Sequence, residues 1–178
     1  MTSLVVRVPI DAPPEQVWQQ LAVRYGDVHQ WSGPIADSGM EAGHTEGRSG
    51  AVRSCTLGPD SPIGKGETFS ETILQWDPAR RFFAAGVDDG FYPMRKVVQE
   101  YWVDAGPNGG TVVTTQFHFD LSFPMGKGTR LVSRLRPQVV TSLLGLKHLV
   151  ERGDAQRAQD AQFLRRTYPA VYRDNEVG

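Results

Sequence analysis

Cysteine is almost absent. Cys55 stands alone among 178 residues, which excludes an internal disulfide and any CxxC metal knuckle. Neither sign of charge is in excess: the formal net charge is −1, so nothing in the balance points to nucleic acid or an anionic membrane as partner. No apolar run approaches the roughly 18 residues that argue for a membrane span, and no basic-then-apolar segment opens the chain. A cytoplasmic, disulfide-free protein is the expectation. His29, His44 and His148 lack the HxH, HExxH or carboxylate spacing of a metal site. GxSxG is missing, so no serine nucleophile elbow is expected. The runs GMEAGHTEG and GPNGG lack the strand-to-helix setting of a phosphate loop. Neither a metal nor a cofactor is expected.

What is present fits one globular chain, 39% hydrophobic and 22% charged, long enough to bury a substantial core. The strongest periodicity lies at 129–152. There Leu135, Val139, Leu143, Leu146 and Val150 recur at steps of three and four, one face of a long helix. Gly153 ends it, and Pro137 inside predicts a kink. Before it come seven strand-like segments, at 4–10, 35–40, 50–57, 67–76, 80–87, 93–104 and 111–121, separated by Gly- and Pro-rich turns. Two short helices follow the first strand, one entered through DAPPE, whose prolines and acid suit a first turn. This order predicts an α+β fold in which an antiparallel sheet curls around the last helix. The division expected is 1–153 for that domain and 154–178 for a charged helical extension, mostly solvated, stopped by Pro169 and frayed at its end.

The residues also carry a family resemblance. An apolar strand running into APPEQVW, then WSGPI, GAVRSCTL, ETILQWDPARR and finally GLKHLVE resembles the START/Bet v 1-like (SRPBCC) superfamily, more narrowly its polyketide cyclase/dehydrase-type members. The resemblance spans roughly residues 4–152. It implies a helix-grip fold, with a deep, mostly apolar ligand cavity between the seven-stranded sheet and the long helix. It does not imply one reaction, because the superfamily includes cyclases, dehydratases, carriers and receptors. The iron–sulfur ligands of a Rieske oxygenase, another home of this fold, are absent.

Strand alternation nominates the lining. In 93–104 the charges of Lys96 and Glu100 are best placed outside, turning Arg95, Val97, Gln99 and Tyr101 inward. In 111–121 the same logic turns Thr115 and Phe117 inward and His118 out. Centring the preceding hairpin near Pro62 sets Arg53 opposite Glu71. In the family pattern this pair tends to face the cavity, where Arg53 would polarise a carbonyl, Glu71 would move a proton and Tyr101 would position the substrate. A purely structural ion pair is the competing reading. Tyr25, Trp31, Cys55, Phe69, Tyr92 and Leu143 complete the candidate ligand contacts. Core packing competes at Tyr101 and is preferred at Trp31 and Cys55. The loops at 58–66 and 88–93 would border the entrance.

The leading expectation is a cofactor-free biosynthetic enzyme of polyketide cyclase/dehydratase type, acting on a hydrophobic, oxygenated small molecule as monomer or homodimer. The alternative is a non-catalytic carrier or sensor of lipids or other hydrophobic molecules. An interaction module of the same fold would need an exposed apolar partner surface that the sequence does not identify.

Overall fold

The computed structural model describes residues 2–61, 63–87, 93–122 and 128–176. Seven strands form one antiparallel sheet: β1 (Thr2–Ile10), β2 (Ile35–Met40), β3 (Val52–Leu57), β4 (Thr68–Asp77), β5 (Phe82–Val87), β6 (Met94–Ala105) and β7 (Thr111–Leu121). Their spatial order is β1-β7-β6-β5-β4-β3-β2, so β1 and β2 are the edges. Between β1 and β2, α1 (Pro14–Trp18) runs into a π-helical turn at Gln19–Val23 and a 3-10 turn at Tyr25–Gln30. The long helix α2 (Gly128–Arg152) packs on the inner face. This is the expected helix-grip arrangement. No described helix is long and apolar enough to cross a membrane.

Alternation builds the core. Leu4, Val6, Val8 and Ile10 of β1 are buried while the residues between them are exposed, and they meet Leu143, Leu144 and Leu146 in one cluster. Where a strand carries an extra residue, the parity flips. A bulge between Ile73 and Gln75 of β4 leaves Leu74 47% exposed and turns Trp76 back onto Trp18, with ring centroids 4.9 Å apart. A second bulge, between Met94 and Lys96 of β6, has the same effect at the cavity.

α2 continues through Pro137 as one helix, so the proline does not mark a false start. Gly145 explains how closely the helix approaches its neighbours. A Cβ there would lie 2.0 Å from the Trp31 carbonyl oxygen and 2.3 Å from that of Ala158. Only hydrogen fits.

Beyond Gly153 the chain forms α3 (Ala155–Ala158), α4 (Ala161–Thr167) and α5 (Pro169–Asp174). The expectation of a solvated tail is corrected: Ala158 and Leu164 are buried in the main core. The helix before Pro169 ends at Thr167, as expected, and Pro169 opens a further one, α5. Asn175, expected in a frayed end, is buried and bonds the edge of β1. Its Nδ2 donates to the Arg7 carbonyl (2.8 Å) and its Oδ1 accepts from the Arg7 N–H (2.9 Å). Along the same edge, Arg136 donates to the Val5 carbonyl (3.1 Å) and Lys147 to that of Pro9 (3.0 Å). Side chains thus occupy the groups through which an open edge strand recruits another chain.

Candidate functional site: a carboxylate at the wall of an apolar cavity

Between sheet and α2 lies a cavity of about 140 Å³. The sheet contributes Phe69, Val97 and Phe117, and α2 contributes Leu135, Val139 and Leu143. Ser61 and Ile63, from the loop between β3 and β4, also line it.

The polar centre is built by register. β3 and β4 pair Arg53 with Glu71, and alternation along β3 turns Arg53, Cys55 and Leu57 inward. Arg53 and Glu71 are 6% and 5% exposed, which places a full ion pair in the protein interior. Arg53 Nε donates to Glu71 Oε2 at 2.8 Å, and Arg53 Nη2 donates to the same oxygen. Arg53 Nη1 donates to the Tyr25 carbonyl at 2.8 Å. Tyr25, delivered by the turn after α1, gives its hydroxyl to Glu71 Oε2 at 3.1 Å and sets its ring 3.9 Å from Arg53 Cζ. Oε2 therefore accepts three bonds, whereas Oε1 accepts none among the described residues. Because Glu71 lines the cavity, Oε1 is the oxygen left to a ligand.

The electrostatics follow from burial. Desolvation is the largest single effect and works against the Arg53 charge, but Glu71 together with Tyr25, Cys55 and Tyr101 outweighs it and raises the guanidinium pKa, so Arg53 stays ionised. Burial, then the negative charge of Glu71, pushes the Tyr25 and Tyr101 hydroxyls above the ordinary phenol value. Burial likewise pushes the Cys55 thiol up to about 11, which leaves it protonated and inert at neutral pH. Tyr101 stacks on Phe83, centroids 4.7 Å apart, and Phe83 meets the Tyr25 ring edge-on. This row of rings buttresses the ion pair.

The remaining candidates divide. Trp31, Cys55, Gln99 and Tyr101 line the cavity together with Arg53 and Glu71. The Trp31 indole N–H is buried without an acceptor among the described residues. Tyr25 sits behind the wall, supporting the ion pair. Thr115 also lies behind it: its hydroxyl donates to the Glu100 carbonyl and accepts from Gln99 Nε2. Arg95 is a correction. The bulge in β6 leaves it exposed and turns Met94 into the cavity instead. Tyr92 and the 88–92 loop lie outside the described residues. His118 pairs with Glu100, Nε2 to Oε2 2.9 Å, and is not part of the lining. The described residues contain no group of three or more His, Cys, Asp or Glu able to hold a metal. Sequence reasoning missed Gln138 and Ser142 in the lining, although both fall between the marked apolar positions of the helix stripe.

The model of the family described as "Polyketide cyclase / dehydrase and lipid transport" matches residues 1–151. The chain belongs to that family. Its α3–α5 segment lies beyond the matched region. Two solved structures agree on the fold. A solution structure of a Thermobifida fusca protein superposes with a TM-score of 0.67 at 19% identity, covering 85% of this chain and 95% of its own. A crystal structure of a Thermus thermophilus protein gives 0.65 at 18%, covering 85% and 98%. No curated protein matches the sequence.

Proposed function

We propose that this family member is a cofactor-free cyclase/dehydratase that closes a ring in a small oxygenated substrate by acid–base chemistry at Glu71. The observation that carries this reading is the asymmetric carboxylate, with one oxygen held by Arg53 and Tyr25 and the other without a donor among the described residues at an apolar wall. Glu71 Oε1 takes a proton from the carbon next to a substrate carbonyl. The resulting enolate attacks a second carbonyl of the same molecule, forming a carbon–carbon bond. The new alkoxide recovers a proton from Glu71, and loss of water follows after a further proton is removed. No oxidant or reductant is required. Tyr101, kept protonated by burial, donates a hydrogen bond to the carbonyl oxygen that becomes negative. Arg53 and Tyr25 act as positioning residues, because each Arg53 nitrogen and the Tyr25 hydroxyl already donates to Glu71 or to backbone. This differs from the sequence-based expectation that Arg53 polarises the substrate.

Native mass spectrometry of freshly purified protein, followed by denaturing extraction, identifies the compound to assay. Glu71→Gln then lowers turnover by about 10²–10⁴-fold, the usual contribution of a general base, while the variant still retains the compound. Full turnover by a folded Glu71→Gln protein defeats the assignment. The carrier reading has one observation in its favour: three Arg53 N–H groups end on protein acceptors, so a carboxylate that merely holds a ligand hydroxyl satisfies the same geometry. Recovery of the extracted compound unchanged after prolonged incubation with protein favours the carrier.

A further inference from the structure

We infer that the cavity selects an uncharged molecule of about one ring, held by a hydroxyl that donates to Glu71 Oε1. This rests on the reading of the cavity as the binding site, but not on whether it is catalytic.

Three observations lead here. The first is size. The cavity measures about 140 Å³, and an apolar cavity of roughly 150 Å³ takes up benzene. A single substituted ring fills that space, and a long acyl chain would have to extend beyond it.

The second is charge. Arg53 and Glu71 cancel, and the described lining holds no other Lys, Arg, His, Asp or Glu. Arg53 places Nε and Nη2 on Glu71 and Nη1 on the Tyr25 carbonyl. An entering carboxylate or phosphate loses its water and finds no unpaired cation among the described lining residues to receive it. An entering ammonium meets a carboxylate already neutralised by Arg53. Both ionic classes are disfavoured.

The third is the unmet acceptor. Oε2 of Glu71 receives Arg53 twice and Tyr25 once, while Oε1 receives nothing from the described residues. A carboxylate oxygen in an apolar cavity binds a donor strongly, and an uncharged donor of this size is a phenol, an enol or a small cyclic alcohol. The proposed ring closure with loss of water leaves a cyclic enone, whose enol form is such a donor.

The test is calorimetric titration of the full chain at pH 7 with p-cresol, toluene, p-toluate, 4-methylbenzylamine and 1-dodecanol. p-Cresol is expected to bind, with toluene weaker by roughly tenfold to a hundredfold, the value of a hydrogen bond to a charged acceptor. p-Toluate and 4-methylbenzylamine are expected to bind more weakly than toluene. Glu71→Gln is expected to narrow the gap between p-cresol and toluene. Toluene matching p-cresol overturns the role of the hydroxyl, and p-toluate or the amine matching it overturns the charge argument. Tighter binding of 1-dodecanol overturns the size argument. Binding of none of the five overturns the cavity reading as well. Tight p-cresol binding beside a failure to find turnover leaves the inference standing and removes only the enzyme.

Discussion

Removing Arg53 alone tests how completely the ion pair has left water. In Arg53→Met, Glu71 Oε2 loses two of its three donors and keeps only the Tyr25 hydroxyl. Both side chains are almost wholly buried, so water does not replace the lost bonds. Breaking such a pair by removing one partner costs about 3–5 kcal/mol. For a chain of this length, 1 kcal/mol corresponds to about 2–4 °C in Tm, so the expected drop is on the order of 6–20 °C. Arg53→Met/Glu71→Leu removes the stranded charge as well and replaces the pair with apolar groups of similar length. That exchange is commonly neutral or stabilising. Here it leaves the Tyr25 hydroxyl short of its better acceptor, at about 1–3 kcal/mol, which Tyr25→Phe in the same background recovers. Urea denaturation of the wild type, the single, the double and the triple variants reads all four values. If Arg53→Met is within about 1 kcal/mol of wild type, the value of an exposed pair, the pair is solvated and the reasoning fails. If instead the apolar double variant equals the wild type in stability but loses ligand, the charge is retained for binding and not for the fold.

Gly145→Ala places a methyl about 2 Å from two backbone oxygens; the roughly 1 kcal/mol gained in helix propensity is outweighed by repacking of about 1–3 kcal/mol or more, and thermal melting equal to or above wild type refutes the close approach. Asn175→Ala removes both bonds to Arg7 on the β1 edge, costing about 1–2 kcal/mol and speeding amide exchange at Arg7; unchanged exchange there contradicts edge protection. Stability falls as the pH rises through the window from 9 to about 11, because the unfolded chain releases the Cys55 proton that the fold retains. Urea melts at about pH 8 and about pH 10.5, on either side of the onset of that release, are compared between wild type and Cys55→Ala. A steeper decline is expected in the wild type, and parallel declines refute it. Tyr25 and Tyr101 shift in the same direction and add to the decline in both proteins.

The sheet was legible because its signals are local. Alternation in β1, glycines at the ends of the β3–β4 loop and period-3.6 spacing in α2 each depend on a few neighbouring residues. The Arg53–Glu71 register followed from the loop centre alone, and the structure has that pairing. Arg95 shows where the method stops. Its inward placement assumed unbroken alternation from Pro93 to Asp104, and one bulge after Met94 reverses the parity at that end while leaving Val97, Gln99 and Tyr101 as counted. A bulge answers to the partner strand, which the local pattern does not contain. Gly145 and Asn175 are illegible for a related reason: what fixes them is a carbonyl at Trp31 and a peptide unit at Arg7, brought near only after the chain has folded.

The same distinction governs the site. That Glu71 stands opposite Arg53 is a question of register, which the sequence answers; that the pair faces inward is implied only by the family resemblance, and the structure places it there. That one of its oxygens has no donor among the described residues depends on Tyr25, carried beneath the pair by a π-helical turn after α1, and on the Arg53 guanidinium bonding the other oxygen twice. A second donor reaching Oε1 would leave the same residues facing the same cavity with nothing to offer a ligand. The chemistry therefore rests on a difference between two atoms of one side chain. The Tyr25→Phe variant is its most economical probe: it removes one donor from Oε2 without touching the cavity lining. If Oε1 is the working oxygen, Tyr25→Phe keeps ligand preference; if preference is lost, Oε2 and not Oε1 meets the ligand.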